Sequence, residues 1–191
     1  MIHHFLPASP YTARFLELLA AHPDDFAPQC HTMWIEGTNL AAFRVPPIGR
    51  SARRDVTPWG FVRAFAWRQP ADRFVIHQLS NPRLLLALTA FPGLANRCAW
   101  SVWGGDVYAF LHRAGTLAGA RDEFLRRRVI PRIPLVSSMV PGDFETVRRV
   151  YGSSARYVRA FYPIPMDHTL LEPLQAAAAD ADGMLNDARA A

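Results

Sequence analysis

Short apolar runs of extended character alternate along this chain with stretches of helical spacing, and that alternation constrains it to a parallel sheet joined by crossover helices. Residues 2–6 read as a first strand, and residues 12–21 as a helix with Phe15, Leu18 and Leu19 on one face. Further strands are expected at 31–35, 73–77, 97–103, 133–137 and 156–161. Helices are expected at 59–68, 82–90, 108–129 and 143–150. Asn81 and Pro82 mark one helix start as cap and first-turn residue, and Gly115 and Gly119 are the points where the long helix can divide. The result is a Rossmann-like α/β fold: about six parallel strands with helices on both faces. Residues 37–58 read as irregular and exposed, because Pro46-Pro47 and the charges of Arg50-Ser51-Ala52-Arg53-Arg54 disfavour regular pairing.

A chain of 191 residues is about one ordinary domain and needs no disulfide or metal to hold it. Its 21 basic residues are all arginine and its acids number 16, for a formal charge of +5. A positive field favours phosphate-bearing partners. Nucleic acid is not expected among them, since the arginines are dispersed and no helix-turn-helix, zinc-finger or RNA-recognition pattern occurs. Met1-Ile2-His3-His4-Phe5 lacks a basic segment followed by a long apolar one, and no run of 18 apolar residues follows, so a cytoplasmic chain is expected. Cys30 and Cys98 each fall inside a predicted strand and read as reduced packing residues. No metal-ligand spacing, P-loop, G-x-S-x-G or G-x-G-x-x-G occurs, so neither a metal nor another cofactor is expected.

Two features bear on membranes. Residues 58–68 combine aromatics with Arg63 and Arg68, which suits either an interfacial helix or an ordinary crossover helix with its aromatics on the sheet. Arg126-Arg127-Arg128 and Arg148-Arg149 read as solvated helix faces that can also lean on phosphate lipid. Dispersed arginines predict weak, salt-sensitive contact with an anionic surface.

The densest local signal is Trp100-Ser101-Val102-Trp103-Gly104-Gly105-Asp106-Val107-Tyr108, a strand that runs into two glycines and a carboxylate. Whatever follows such a strand stands at its carboxyl end, where open α/β sheets bind ligands. Read structurally, the glycines make a tight turn and Asp106 caps the next helix.

This block, together with Ile76-His77, Asn81-Pro82, Gly142-Asp143 and Pro163-Ile164-Pro165-Met166-Asp167, resembles in order and spacing the amino-terminal half of the bacterial 4-acetamido-4,6-dideoxygalactose (Fuc4NAc) transferases. The likeness runs over residues 2–167. It implies a glycosyltransferase acting at the inner face of the cytoplasmic membrane, which moves a sugar from a dTDP-sugar to a polyprenyl-diphosphate-linked saccharide in enterobacterial common antigen or related glycan synthesis. It also implies the GT-B arrangement, two Rossmann-like domains facing across a cleft, of which residues 1–167 would be the acceptor side. The alanine-rich tail 168–191 is too short to be the donor domain, so a donor-domain partner chain is an expectation of the same likeness.

Such a transfer needs a base for the acceptor hydroxyl. Asp106 is the first candidate, with Gly104 and Gly105 leaving space for substrate. His77 is the second, as the last residue of its strand, and its structural alternative is a histidine bonded to backbone. Tyr108, Asn81 and His3 are candidate acceptor contacts. For Tyr108 the alternative is a half-buried ring, for Asn81 a helix cap. His3 and His4 are placed at the end of the first strand. Asp143 is read as a helix cap. Phe5-Leu6-Pro7-Ala8-Ser9-Pro10 replaces the family's glycine-containing loop, and Ile164 and Pro165 replace more polar residues, so a phosphate contact at the first loop and the interdomain hinge are not carried over. Competing readings are a glycolipid-binding or scaffold module without turnover, and a truncated product lacking the donor domain.

Overall fold

The computed structural model describes residues 1–27, 30–36, 69–112 and 115–161, together with the backbone of 52–56. Seven strands form one all-parallel sheet: β1 (Ile2–Pro7), β2 (His31–Glu36), β3 (Ala52–Val56), β4 (Arg73–His77), β5 (Cys98–Ser101), β6 (Leu135–Ser138) and β7 (Arg156–Arg159). Their order across the sheet is β3-β2-β1-β4-β5-β6-β7, the Rossmann order, with the direction of winding reversing between β1 and β4. The expected α/β fold is therefore present, with one strand more than the sequence reading counted. The extra strand is β3, inside the stretch expected to be irregular. It stands at one end of the strand order and pairs through its backbone with Thr32–Glu36 of β2. The expected helix at 59–68 and the tail 168–191 lie outside the described residues.

Among the described residues four longer helices flank the sheet: α1 (Pro10–Ala21), α2 (Pro82–Ala90), α3 (Leu117–Val129) and α4 (Pro141–Tyr151). Local chemistry sets their starts. Ser9 caps α1 by accepting from Thr12 N at 3.1 Å, and Asn81 caps α2 by accepting from Arg83 N and Leu84 N. The expected long helix divides at Gly115, as anticipated, into Ala109–His112 and α3. Gly119 instead lies within α3 and donates its N–H to the capping hydroxyl of Thr116.

Strand alternation sorts the core into two layers. On one face Leu6, Met33 and Ile35 bury against Leu16 and Leu19 of α1. On the other, Phe74, Ile76, Cys98, Trp100 and Val136 pack with Leu84, Leu85 and Leu88 of α2 and Leu125 and Val129 of α3. Each fully buried Leu, Ile or Phe is worth about 1.5–3 kcal/mol of transfer free energy, so this double layer fixes the carboxyl edge as a rigid platform. Cys98 joins the core as expected, and burial pushes its thiol up to about 12. Cys30 does not: it stands just before β2, which begins at His31, and is exposed.

Candidate functional site

The loops leaving the carboxyl ends of β1, β4, β5 and β6 surround a crevice of about 560 Å³, lined by Tyr11, Gln78, Val102, Trp103, Gly104, Gly105, Met139, Val140 and Asp143. It opens beside the β1–β4 reversal, the position at which open α/β sheets hold ligands. Its walls are an aromatic pair, Tyr11 and Trp103 with ring centroids 5.4 Å apart, and the start of α4. Gln78, next after β4, takes a left-handed backbone with φ of 71°, and its N–H donates to Ser101 O at 3.1 Å. A left-handed conformation in a glutamine costs about 1 kcal/mol or more and is held here by that bond to the neighbouring strand. Gly104 and Gly105 line the opening as expected. A Cβ on Gly104 would meet no atom within 4 Å, so the missing side chain leaves open crevice rather than relieving a clash.

Asp106 shares this edge but does not face the crevice. It is 1% exposed, and both its oxygens are fully engaged. Oδ2 accepts from Leu79 N at 2.7 Å and Trp100 Nε1 at 2.8 Å, and Oδ1 from Trp103 N at 2.9 Å and Val107 N at 3.0 Å. Burial raises its carboxyl above the usual carboxylate value, and the four donors oppose that rise. The geometry therefore corrects the reading of Asp106 as an acceptor-facing base, since no lone pair is left to take a hydroxyl proton. Nor does it cap a helix. It clamps the exit of β4 to the exit of β5 and so fixes the wall of the crevice that Trp103, Gly104 and Gly105 build.

His77 ends β4, as expected, and is also buried, packed 4.9 Å from the Phe15 ring of α1. Its Nε2 lies 3.0 Å from His4 Nδ1, and His4 Nε2 lies 2.8 Å from His31 Nδ1. The three imidazoles follow a diagonal on the α1 face of β4, β1 and β2. Burial lowers all three, His77 to about 3, so they are neutral and each ring can donate from one nitrogen and accept at the other. His77 is therefore a link in a buried chain, and the crevice lining does not include it.

His3 is not at the carboxyl edge. β1 extends to Pro7, which leaves His3 near the strand's amino end, where Nε2 meets Asp72 at 3.3 Å and Nδ1 accepts from Trp34 Nε1 at 3.1 Å. His4, one residue on, is enclosed in the histidine chain. Asn81 is buried, with Oδ1 spent on the α2 cap and Nδ2 donating to Glu36 Oε2 at 2.9 Å. Its expected role as an acceptor contact gives way to one that ties α2 to the end of β2.

Tyr108 and Asp143 do come together. The Tyr108 hydroxyl donates to Asp143 Oδ1 at 3.0 Å, and Asp143 lines the crevice. Asp143 was expected to cap α4. Instead it stands at the third helical position, the cap residue Val140 makes no side-chain bond, and the carboxylate is turned toward Tyr108. Among the described residues it is the one carboxylate lining the crevice. The Gly142-Asp143 pair in the sequence marked this helix start, but the choice between capping and facing ligand depended on where Tyr108 would fall.

Among the described residues no helix is long and apolar enough to cross a membrane. Set against protein-family models, curated proteins and solved structures, the chain matches none.

Proposed function

We propose that this domain is the acceptor-binding side of a glycosyltransferase of the Fuc4NAc-transferase kind, and that the carboxyl-edge crevice holds the saccharide of a polyprenyl-diphosphate-linked acceptor. The observation that carries this reading is the crevice itself. An aromatic pair for stacking on a sugar ring, a side-chain-free floor at Gly104 and Gly105, and hydrogen-bonding groups at Gln78, Tyr108 and Asp143 are gathered at the ligand edge of a Rossmann-like sheet. The resemblance of Trp103-Gly104-Gly105-Asp106-Val107-Tyr108 to the transferases falls on the same loop. In this reading Asp143, hydrogen-bonded by Tyr108, takes the acceptor hydroxyl proton. The dTDP-sugar is held by a second Rossmann-like domain outside these 191 residues, and the chain works peripherally at the inner face of the cytoplasmic membrane.

The burial of both Asp106 and His77, the residues first expected to act as base, favours a second reading, a glycolipid-binding module without turnover. One pair of measurements separates the two. Calorimetric titration of a short-chain polyprenyl-diphosphate saccharide should show binding that Trp103→Ala weakens by about 1–2 kcal/mol, the size of a lost aromatic stacking contact. Transfer from a dTDP-sugar should appear only when a donor domain is supplied, and Asp143→Asn should abolish it with binding retained. Binding without transfer under every supplied donor domain selects the module, and absence of binding rejects both.

A further inference from the structure

The outward side of α3 is unlike an ordinary solvated helix face. Leu117, Arg121, Phe124 and Arg128 stand at i, i+4, i+7 and i+11, within a narrow stripe directed away from the sheet. Leu117 is 94% exposed and Phe124 53% exposed. The Arg128 guanidinium lies 4.3 Å from the centre of the Phe124 ring. Beside the stripe, Leu111 is 63% exposed, and Leu86 on the neighbouring α2 is 52% exposed. A largely apolar groove of about 340 Å³ runs between Ala109 and Phe110 on one side and Gly119, Ala120, Glu123 and Phe124 of α3 on the other.

The charges on this surface do not cancel. Arg121 pairs with Asp122 at 2.7 Å and Arg127 with Glu123 at 3.0 Å. Arg128 and Arg132 have no carboxylate partner among the described residues. Arg132 only donates to the backbone carbonyl of Arg128 at 2.9 Å. Of the run Arg126-Arg127-Arg128, expected to form a solvated helix face, Arg127 and Arg128 are exposed, whereas Arg126 is buried.

We propose that the outward face of α3 is a docking surface for an anionic lipid bilayer, with Leu117 and Phe124 entering the headgroup boundary and Arg128 and Arg132 meeting lipid phosphate. Charge complementarity selects the occupant: Arg128 near the end of α3 and Arg132 in the turn after it, without a carboxylate partner among the described residues, adjoin exposed apolar side chains and match an interface that is anionic at the headgroups and apolar just beneath. The arginine over the phenylalanine ring suits a side chain whose stem lies along apolar surface while its head stays at phosphate level. A helix stripe standing proud of the fold suits a broad planar surface better than a concave protein site. This surface gives the peripheral membrane contact of the proposed function a place on the fold, and it shares no residue with the crevice.

The test is co-sedimentation of the full chain with phosphatidylcholine vesicles, with and without phosphatidylglycerol. The chain should bind only the phosphatidylglycerol vesicles and should be released by high salt. Leu117→Asp with Phe124→Asp, and separately Arg128→Glu with Arg132→Glu, should each weaken binding by roughly tenfold or more. The same charge change on the edge strand β7, Arg156→Glu with Arg159→Glu, should leave it within about twofold. Circular dichroism checks that the variants fold, and Phe124→Trp should give a blue-shifted emission on the anionic vesicles. The proposal is overturned by any of three results: no binding to phosphatidylglycerol vesicles at low salt, equal loss in the Arg156/Arg159 control, or a dimer in solution that Phe124→Asp dissolves, which would assign the face to a second copy of this chain.

Discussion

Replacing Asp106 by asparagine tests the clamp directly, because the amide keeps the shape of the side chain but turns one acceptor oxygen into a donor. In the structure both oxygens receive two N–H groups each, from Leu79 and Trp100 on one side and from Trp103 and Val107 on the other. Whichever way the amide turns, its NH2 faces two N–H donors that the carboxylate had satisfied. Two hydrogen bonds to a charged or strongly polar acceptor are lost at about 1.5–3 kcal/mol each, which puts the cost near 4 kcal/mol. For a domain of this size each kcal/mol moves the midpoint by about 2–4 °C, so Asp106→Asn should melt roughly 10 °C below the parent. Asp143→Asn is the internal control. That side chain is half-buried with one bond to Tyr108, and its exchange should cost under about 1 kcal/mol. Urea unfolding of both variants measures the difference. An Asp106→Asn protein within about 1 kcal/mol of the parent would show that the four-donor clamp is not what holds the β4 and β5 exits together.

Acid should destabilise the fold well above the carboxylate range. His77 has a folded value of about 3 against an unfolded value near 6.5, so below pH 6.5 the unfolded chain binds the extra proton and stability falls, by about 2 kcal/mol between pH 7 and pH 5, until it levels off below about 3. Denaturant titrations at stepped pH should show that slope, flattened in His77→Gln; a flat parent profile would contradict the buried neutral chain. Asp72, held at about 2 by the Gln69 N–H, the terminal ammonium and His3 despite some desolvation, contributes stability above pH 3.8 that is lost as pH falls through 2, and Asp72→Asn should remove that last portion of the acid limb. Arg126 is 1% exposed with Nε and one terminal nitrogen unbonded, so Arg126→Met should raise the unfolding free energy by about 1–3 kcal/mol, whereas a loss would mean the guanidinium is paired.

Much of the fold was legible because strand and helix periods, Gly115 and the Asn81-Pro82 start are local signals that tertiary packing reinforced. β3 was hidden because Ala52-Arg53-Arg54-Asp55-Val56 carries no apolar alternation, and its pairing with β2 is a backbone register that no residue pattern announces. The candidate site was legible as a place and misread in its members. Gly104, Gly105 and Tyr108 lie where a strand followed by two glycines had to put them. Asp106, however, was judged by residue type, and its burial depends on Leu79 arriving from 27 residues away, a contact no local pattern announces. His3 was misplaced within its own strand: as the second residue of a strand read over 2–6 and observed over Ile2–Pro7, it stands at the amino end, four residues before the carboxyl edge. Asp143 was undervalued because a carboxylate in a first helical turn reads as a cap until Tyr108, 35 residues earlier, is seen beside it.

The central claim is that the carboxyl-edge crevice is the saccharide site, and backbone amide mapping by heteronuclear NMR tests it most directly. On titration with a short-chain polyprenyl-diphosphate saccharide, the account predicts shifts concentrated at Gln78, Trp103, Gly104, Gly105, Val140 and Asp143, with the Trp103 indole among the largest. The amides of His3 and Asp72 at the opposite edge of the sheet should stay still. Shifts centred on that opposite edge, or a spectrum unchanged at saturating saccharide, would contradict it.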